Sequence, residues 1–131
     1  MKKKWAEGRA IYIQIMEIIS GSIASGELKP GQRVPAVRDY AVSFGVNPNT
    51  MQRALYELER EGILISERNT GRFVTEDDEI IKKMKENQAE NAFEEFYIQM
   101  RTLGFSEKEI MDFFCERLGK HRANAGGRGV C

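Results

Sequence analysis

The stretch FGVNPNTMQRALYELEREGI, residues 44–63, decides the fold. Asn47 is a helix N-cap, and Pro48 takes the first helical position, where its missing N–H leaves nothing unpaired. Met51, Ala54, Leu55 and Leu58 recur at helical spacing and form a buried stripe. Asn49, Gln52, Arg53, Tyr56 and Arg60 fall together on the opposite face at about 3.6 residues per turn. The opening turn holds no acid, whereas Glu57, Glu59 and Glu61 crowd the far end. Amides, hydroxyls and a guanidinium near the start can meet base edges or phosphates, and the helix terminus adds N–H donors and partial positive charge. Acids there would repel phosphate. Their place at the far end suits docking on DNA by the first turns.

Outward from this helix, Gly45 closes a shorter one over 36–44, in which Val37, Tyr40, Ala41 and Phe44 share a face and Arg38 points about 100° away. Two helices joined by a tight Gly-containing turn form a helix-turn-helix pattern. Upstream, residues 10–25 read as a helix with two adjacent stripes, Ile11, Ile15, Ile18 and Ser22 beside Tyr12, Met16, Ile19 and Ile23. Gly26 and Lys29-Pro30-Gly31 end it, and Arg33-Val34 is a short extended piece. Downstream, ILISERNTGRFVTE gives two short strands around the polar tip Arg68-Asn69-Thr70-Gly71, a hairpin. Helix, helix-turn-helix and hairpin in this order describe a winged helix.

The totals are neutral. The chain has 131 residues, 20 Lys+Arg against 20 Asp+Glu, and no net charge. Residues 1–76 carry +2 and the remainder −2, so any basic face must come from arrangement. Cys115, Cys131 and the lone His121 stand in no metal-ligand spacing, which suggests a reduced cytoplasmic protein with a buried thiol at Cys115. No metal or cofactor is expected. No apolar run approaches the ~20 residues that span a bilayer, and the start does not read as a signal peptide. Lys2 to Lys4 read as a mobile basic tail with a sequence-blind attraction to DNA.

With those residues in place, LKPGQRVPAVRDYAVSFGVNPNTMQRALYELEREGILISERNTGRFV (28–74) resembles the winged-helix DNA-binding domain of the GntR transcriptional regulators. The match runs through Pro30-Gly31, Pro35 with Arg38, Gly45-Val46, Thr50, Ala54-Leu55, Leu58-Glu59, Glu61-Gly62, and Gly71 with Phe73-Val74. The wording of the central helix and the short tail look like the YtrA-like subfamily, whose members commonly sit with transporter genes. The resemblance implies a dimeric repressor or regulator, and a dimer presents two reading heads to a pseudo-palindromic operator. It assigns DNA contact to Arg38, Asn47, Asn49, Thr50 and Gln52, and to the wing residues Arg68, Asn69, Thr70 and Gly71. Arg53 joins them on the helix-face argument alone. Many members have a small hydroxyl residue where Ala36 stands, a basic residue at the position of Pro48, and Arg at that of Gln52. The first glycine of the wing's Gly-x-Gly is Asn69, which tolerates positive φ. Gln52 suits a bidentate contact with adenine, and an arginine such as Arg38 one with guanine.

Beyond Asp77 the chain changes character. DDEIIKKMKENQAEN reads as a helix exposing most of its girth, and NAFEEFYIQMRTL sets Phe93, Phe96, Met100 and Leu103 at helical spacing. Ser106 and Glu109 make a capping box, with Phe105 and Ile110 at the staple positions. Ile110, Phe113, Phe114 and Leu118 continue as an apolar stripe. The expected organisation is a winged helix-turn-helix over 1–76, a helical dimerisation region over 77–118, and a disordered tail over 119–131. The helical region is too small to bury its own stripes, so Phe93, Phe96, Met100, Phe113 and Phe114 are assigned to a homodimer interface. A small-molecule effector stays open. The competing reading is a winged-helix module that binds protein and not DNA, which an acidic or greasy recognition face would favour. No nucleophile, metal or phosphate-loop arrangement supports an enzyme.

Overall fold

The computed structural model describes residues 5–124; the Lys2–Lys4 tail, Cys131 and the end of the expected disordered tail lie outside them. Five helices and one hairpin follow in the order α1 (Ile11–Ala24), α2 (Val37–Phe44), α3 (Pro48–Arg60), β1 (Leu64–Glu67), β2 (Gly71–Val74), α4 (Asp78–Thr102) and α5 (Glu107–Asn124). They divide into two compact units, one running to Gln88 and the other starting at Ala89.

In the first unit, α3 is the hub. Its stripe Met51, Ala54, Leu55 and Leu58 is fully buried, packed against α1, α2 and β1. Truncating a leucine here costs about 2–5 kcal/mol, because the lost transfer energy and the cavity add. Helix α1 contributes Ile15, Ile19 and Ile23, which recur every fourth residue and are wholly buried. The wide face expected from the sequence is present, with Tyr12, Met16 and Ile18 partly buried against the same core; its margins fall short, since Ile11 stays 40% exposed and Ser22 is half-buried. Gln14 is buried as well. Its amide binds both the N–H and the C=O of Ala6 and the carbonyl of Arg9, tying the preceding segment to the helix. Trp5 lies stacked 6.3 Å from Phe44 in that same segment.

The hairpin pairs Leu64 with Val74, Ile65 with Phe73, Ser66 with Arg72 and Glu67 with Gly71. Its root is anchored because Leu64 and Val74 both point into the core. The expected extended piece is present: Arg33 bridges Phe73, the Val34 N–H donates to Arg72 at 2.9 Å, and the Val74 N–H donates to Gln32 at 2.9 Å. A third backbone segment thus covers the outer edge of β2. The first unit also outruns the boundary drawn at Glu76, since Ile80, Ile81 and Met84 of α4 cover the winged-helix core.

In the second unit, the rest of α4 turns at Gly104 into α5. The capping box forms as the spacing requires: Ser106 N–H donates to Glu109 Oε1 at 3.0 Å, and Glu109 N–H to Ser106 Oγ at 3.2 Å. The ring that Phe105 meets is Phe113, edge-on at 5.9 Å. Tyr97 donates its hydroxyl to Glu107 across the turn at 3.0 Å. Helix α5 runs six residues past the expected limit at Leu118. A Lys120–Glu116 ion pair one turn apart and the positive charge of Arg122 in the last turn suit such an extension. Cys115 is half-buried, less enclosed than the buried thiol expected from the sequence.

Candidate nucleic-acid interface

The turn between α2 and α3 is built from Gly45, Val46 and Asn47. Gly45 adopts φ 68°, which lets the Val46 N–H return to the carbonyl of Ala41 at 3.0 Å and end α2 sharply. Asn47 then accepts from the Asn49 N–H at 2.7 Å, with Pro48 in the first turn of α3. The side-chain oxygen of Asn47 is therefore occupied as a cap, leaving its amide NH₂ for other partners. This fixes the register in which the next residues face outward.

Asn49, Gln52 and Arg53 are all exposed, Thr50 is half-buried, and no acid occurs in the first turn of α3. Arg53 has a neighbour that the sequence did not reveal. Its guanidinium carbon lies 3.9 Å from the centre of the Tyr12 ring on α1. Stacking on a ring preorganises the guanidinium without consuming its five donors, so its edge stays able to meet a phosphate or base. Arg60, further along the same face, is engaged by Glu57 at 3.0 Å. The outward face is therefore amide and guanidinium near its start and internally neutralised near its end.

The acids at the end of α3 have separate tasks. Glu57 pairs with Arg60. Glu59 accepts from Ser66 Oγ at 2.8 Å and from the Arg72 guanidinium, joining the helix to the hairpin. Burial alone would raise the Glu59 carboxyl, but the hydrogen bonds from Arg72 and Ser66 outweigh it and hold the group below its usual range. Glu61, by contrast, is pushed up by burial and by the neighbouring Glu57, against an opposing pull from Arg60.

Arg38 is exposed in the first turn of α2. The start of that helix, Pro35 to Val37, lines an open cleft together with Asn69, Thr70 and Gly71 of the wing tip and with Arg33. The structure thus brings the opening of α2 and the wing side by side. Arg68, Asn69 and Thr70 are exposed, and Asn69 takes φ 64° as the turn demands. Gly71 sits at φ 132° under the Arg33 side chain, whose Nε would lie 2.9 Å from an added Cβ. Arg33, Tyr12 and the Glu59–Arg72 pair were not found from the sequence, because each meets its partner on a different element.

The residues assigned to a dimer interface separate into two groups. Met100 is buried within its own chain, and Phe113 packs on Phe105, with the Arg117 guanidinium over its ring 4.7 Å from the ring centre. Phe93 and Phe114, in contrast, are 59% and 48% exposed, and with Phe96, Tyr97, Ile110 and Met111 they line an apolar groove.

Comparison with known proteins gives a consistent picture. A family model for bacterial regulatory proteins of the gntR family matches residues 11–74. The chain is 36% identical over 112 residues to the uncharacterized HTH-type transcriptional regulator YhcF of Bacillus subtilis (strain 168), covering 86% of this chain and 93% of that protein. It is 41% identical over 66 residues to the HTH-type transcriptional repressor YtrA of the same organism, covering 50% of this chain and 51% of that one. The solved structure of AraR(DBD) in complex with operator ORX1 is similar at a TM-score of 0.50 and 28% identity, over 57% of this chain and 95% of that chain.

Proposed function

Because this chain belongs to the gntR family of bacterial regulatory proteins, we propose that it is a sequence-specific DNA-binding regulator that acts as a dimeric repressor. Transcriptional regulation follows from the family; the reading residues, the dimer and the repressing mode are the proposal. The observation that carries it is the exposed start of α3, where Asn49, Gln52 and Arg53 face solvent with no acid among them. A polar, acid-free helix opening is the surface that enters a major groove, because amides and guanidinium there can form paired hydrogen bonds with base edges. Asn47 and Thr50 at the turn supply backbone contacts that set register, Arg38 at the start of α2 adds a guanidinium able to meet guanine, and Arg68 to Gly71 supplies the wing's share. The naming of YtrA as a repressor supports repression here, as does the AraR complex for a duplex partner.

The test is a pair of substitutions on the reading face. Gln52→Ala with Arg53→Ala removes about 1–3 kcal/mol per lost bidentate contact, so affinity for a specific duplex falls by about tenfold or more while the melting temperature holds. Unchanged affinity in a fluorescence-anisotropy titration contradicts the assignment.

The second unit supports pairing of two copies. Leu103, Met111, Phe93 and Phe114 are exposed by 71%, 61%, 59% and 48%, more apolar surface than a pair of helices gains from leaving in water. A C₂ partner presents the same groove in return and buries both. Two heads joined in this way bind a pseudo-palindrome through effective concentration, which turns a weak module into a specific one.

A further inference from the structure

The wing of this molecule is held at two places, and only one of them is hydrophobic. At its root, Leu64 and Val74 pair across the hairpin and are buried in the core. Two residues further out, Ser66 pairs with Arg72, and both side chains converge on the Glu59 carboxylate at the end of α3. The next pair, Glu67 with Gly71, already belongs to the tip. The side chains of Arg72 and Glu59 are only 18% and 25% exposed, so the pair is shielded from full solvent screening. A two-stranded ribbon is marginal by itself, and a ribbon held only at its root pivots about it.

We propose that Glu59, Ser66 and Arg72 form a clasp that sets the angle of the wing relative to the reading helix, making Glu59 and Arg72 positioning residues for DNA binding. The clasp rests on the DNA-reading function above and names what coordinates its two contact elements. Glu59 lies on the helix that carries Gln52 and Arg53; Ser66 and Arg72 flank the tip that carries Arg68 to Thr70. One carboxylate therefore ties the part that meets base edges to the part that meets the adjoining backbone. The Arg33 side chain over Gly71 and the backbone segment at Gln32–Val34 support β2 from its other edge. The clasp also gives one of the clustered acids of α3 a purpose compatible with a polyanionic partner, since its charge is spent on Arg72.

The sign of the effect separates positioning from plain electrostatics. Glu59→Gln removes one negative charge from a surface that approaches phosphate, so charge alone predicts tighter binding and positioning predicts weaker binding. The probe is a duplex recovered by the wild-type protein from a random pool, with a scrambled duplex as control. Glu59→Gln should weaken the recovered duplex by about tenfold, the scale of one charge-assisted hydrogen bond lost from the wing, and leave the scrambled duplex nearly unaffected. In an Arg68→Ala, Thr70→Ala background, where the tip no longer contacts DNA, the same substitution should add no further loss. Equal losses in both backgrounds, or tighter binding, overturn the clasp. Thermal melting checks that Glu59→Gln folds; if it does not, Ser66→Ala opens one arm of the clasp at an exposed position and takes its place. Should the wild type recover no duplex, the DNA-reading function falls. The clasp is then judged by amide hydrogen exchange, which must quicken at Glu67 to Arg72 in the variant and leave α3 unchanged; identical exchange overturns it.

Discussion

Asn47 caps α3 through a 2.7 Å bond to the Asn49 N–H, and the orientation of Asn49, Gln52 and Arg53, the proposed reading residues, follows from where that helix begins. Removing the cap as Asn47→Ala costs about 1 kcal/mol, which lowers the melting temperature of a domain of this size by about 4–8 °C. Differential scanning calorimetry reads the shift, and an unchanged melting temperature means the cap is not formed. Asn47 was legible from sequence because its task is local, two residues from its partner. Asn69 was legible for the same reason, since a turn of that length demands positive φ. Arg53 was placed on the correct face, yet its stacking on Tyr12 was not, because helical periodicity says which way a side chain points and nothing about the neighbouring helix. Glu59 is the sharper case. In sequence it belongs to an acidic cluster kept away from phosphate; in the fold it is the acceptor for a serine and an arginine from the wing.

At the scale of elements, the wing and α5 show local rules at work and the packing rules that override them. Helix α5 starts where Ser106 and Glu109 said it would. The Ser106 backbone and hydroxyl bonds hold the Glu109 carboxyl below its usual range, so its contribution is complete above the unfolded pKa, about 4.3, and is lost as pH falls through the depressed folded value. The Glu59 carboxyl is likewise held low, so the clasp persists through neutral pH and opens as pH falls through its own depressed folded value. Far-UV circular dichroism should therefore record fraying of α5 only in strong acid, and Ser106→Ala should shift that loss to higher pH. An identical acid profile in the variant means the box contributes nothing. Helix α1 shows what was legible and what was not. Its two apolar stripes predicted a wide packed face, and Tyr12, Met16 and Ile18 do flank the buried line Ile15, Ile19 and Ile23. The position of Gln14 in the interior reflects hydrogen bonds to Ala6 and Arg9, partners that a hydrophobicity pattern does not contain.

At the scale of the whole molecule, the proposed function divides the work: the first unit reads DNA and the second pairs two copies. No helix among the described residues is long and apolar enough to cross a membrane. The proposed dimer draws on the outward apolar residues and not on the inward ones, which makes Phe114 the informative position. Phe114→Asp places a charge in the groove, so sedimentation should give monomers with an intact winged-helix fold, whereas a persisting dimer locates the interface elsewhere. Phe113 would be a poorer choice, because its contact with Phe105 makes it part of the subunit's own packing. Both halves of the account meet in one experiment: selection of duplexes from a random pool by the full chain, followed by sequencing of what is retained. The account predicts a single enriched motif with inverted-repeat symmetry, whose half-sites weaken about tenfold or more against Gln52→Ala with Arg53→Ala. Enrichment of nothing, or of one unrepeated site that the double substitution leaves untouched, contradicts it.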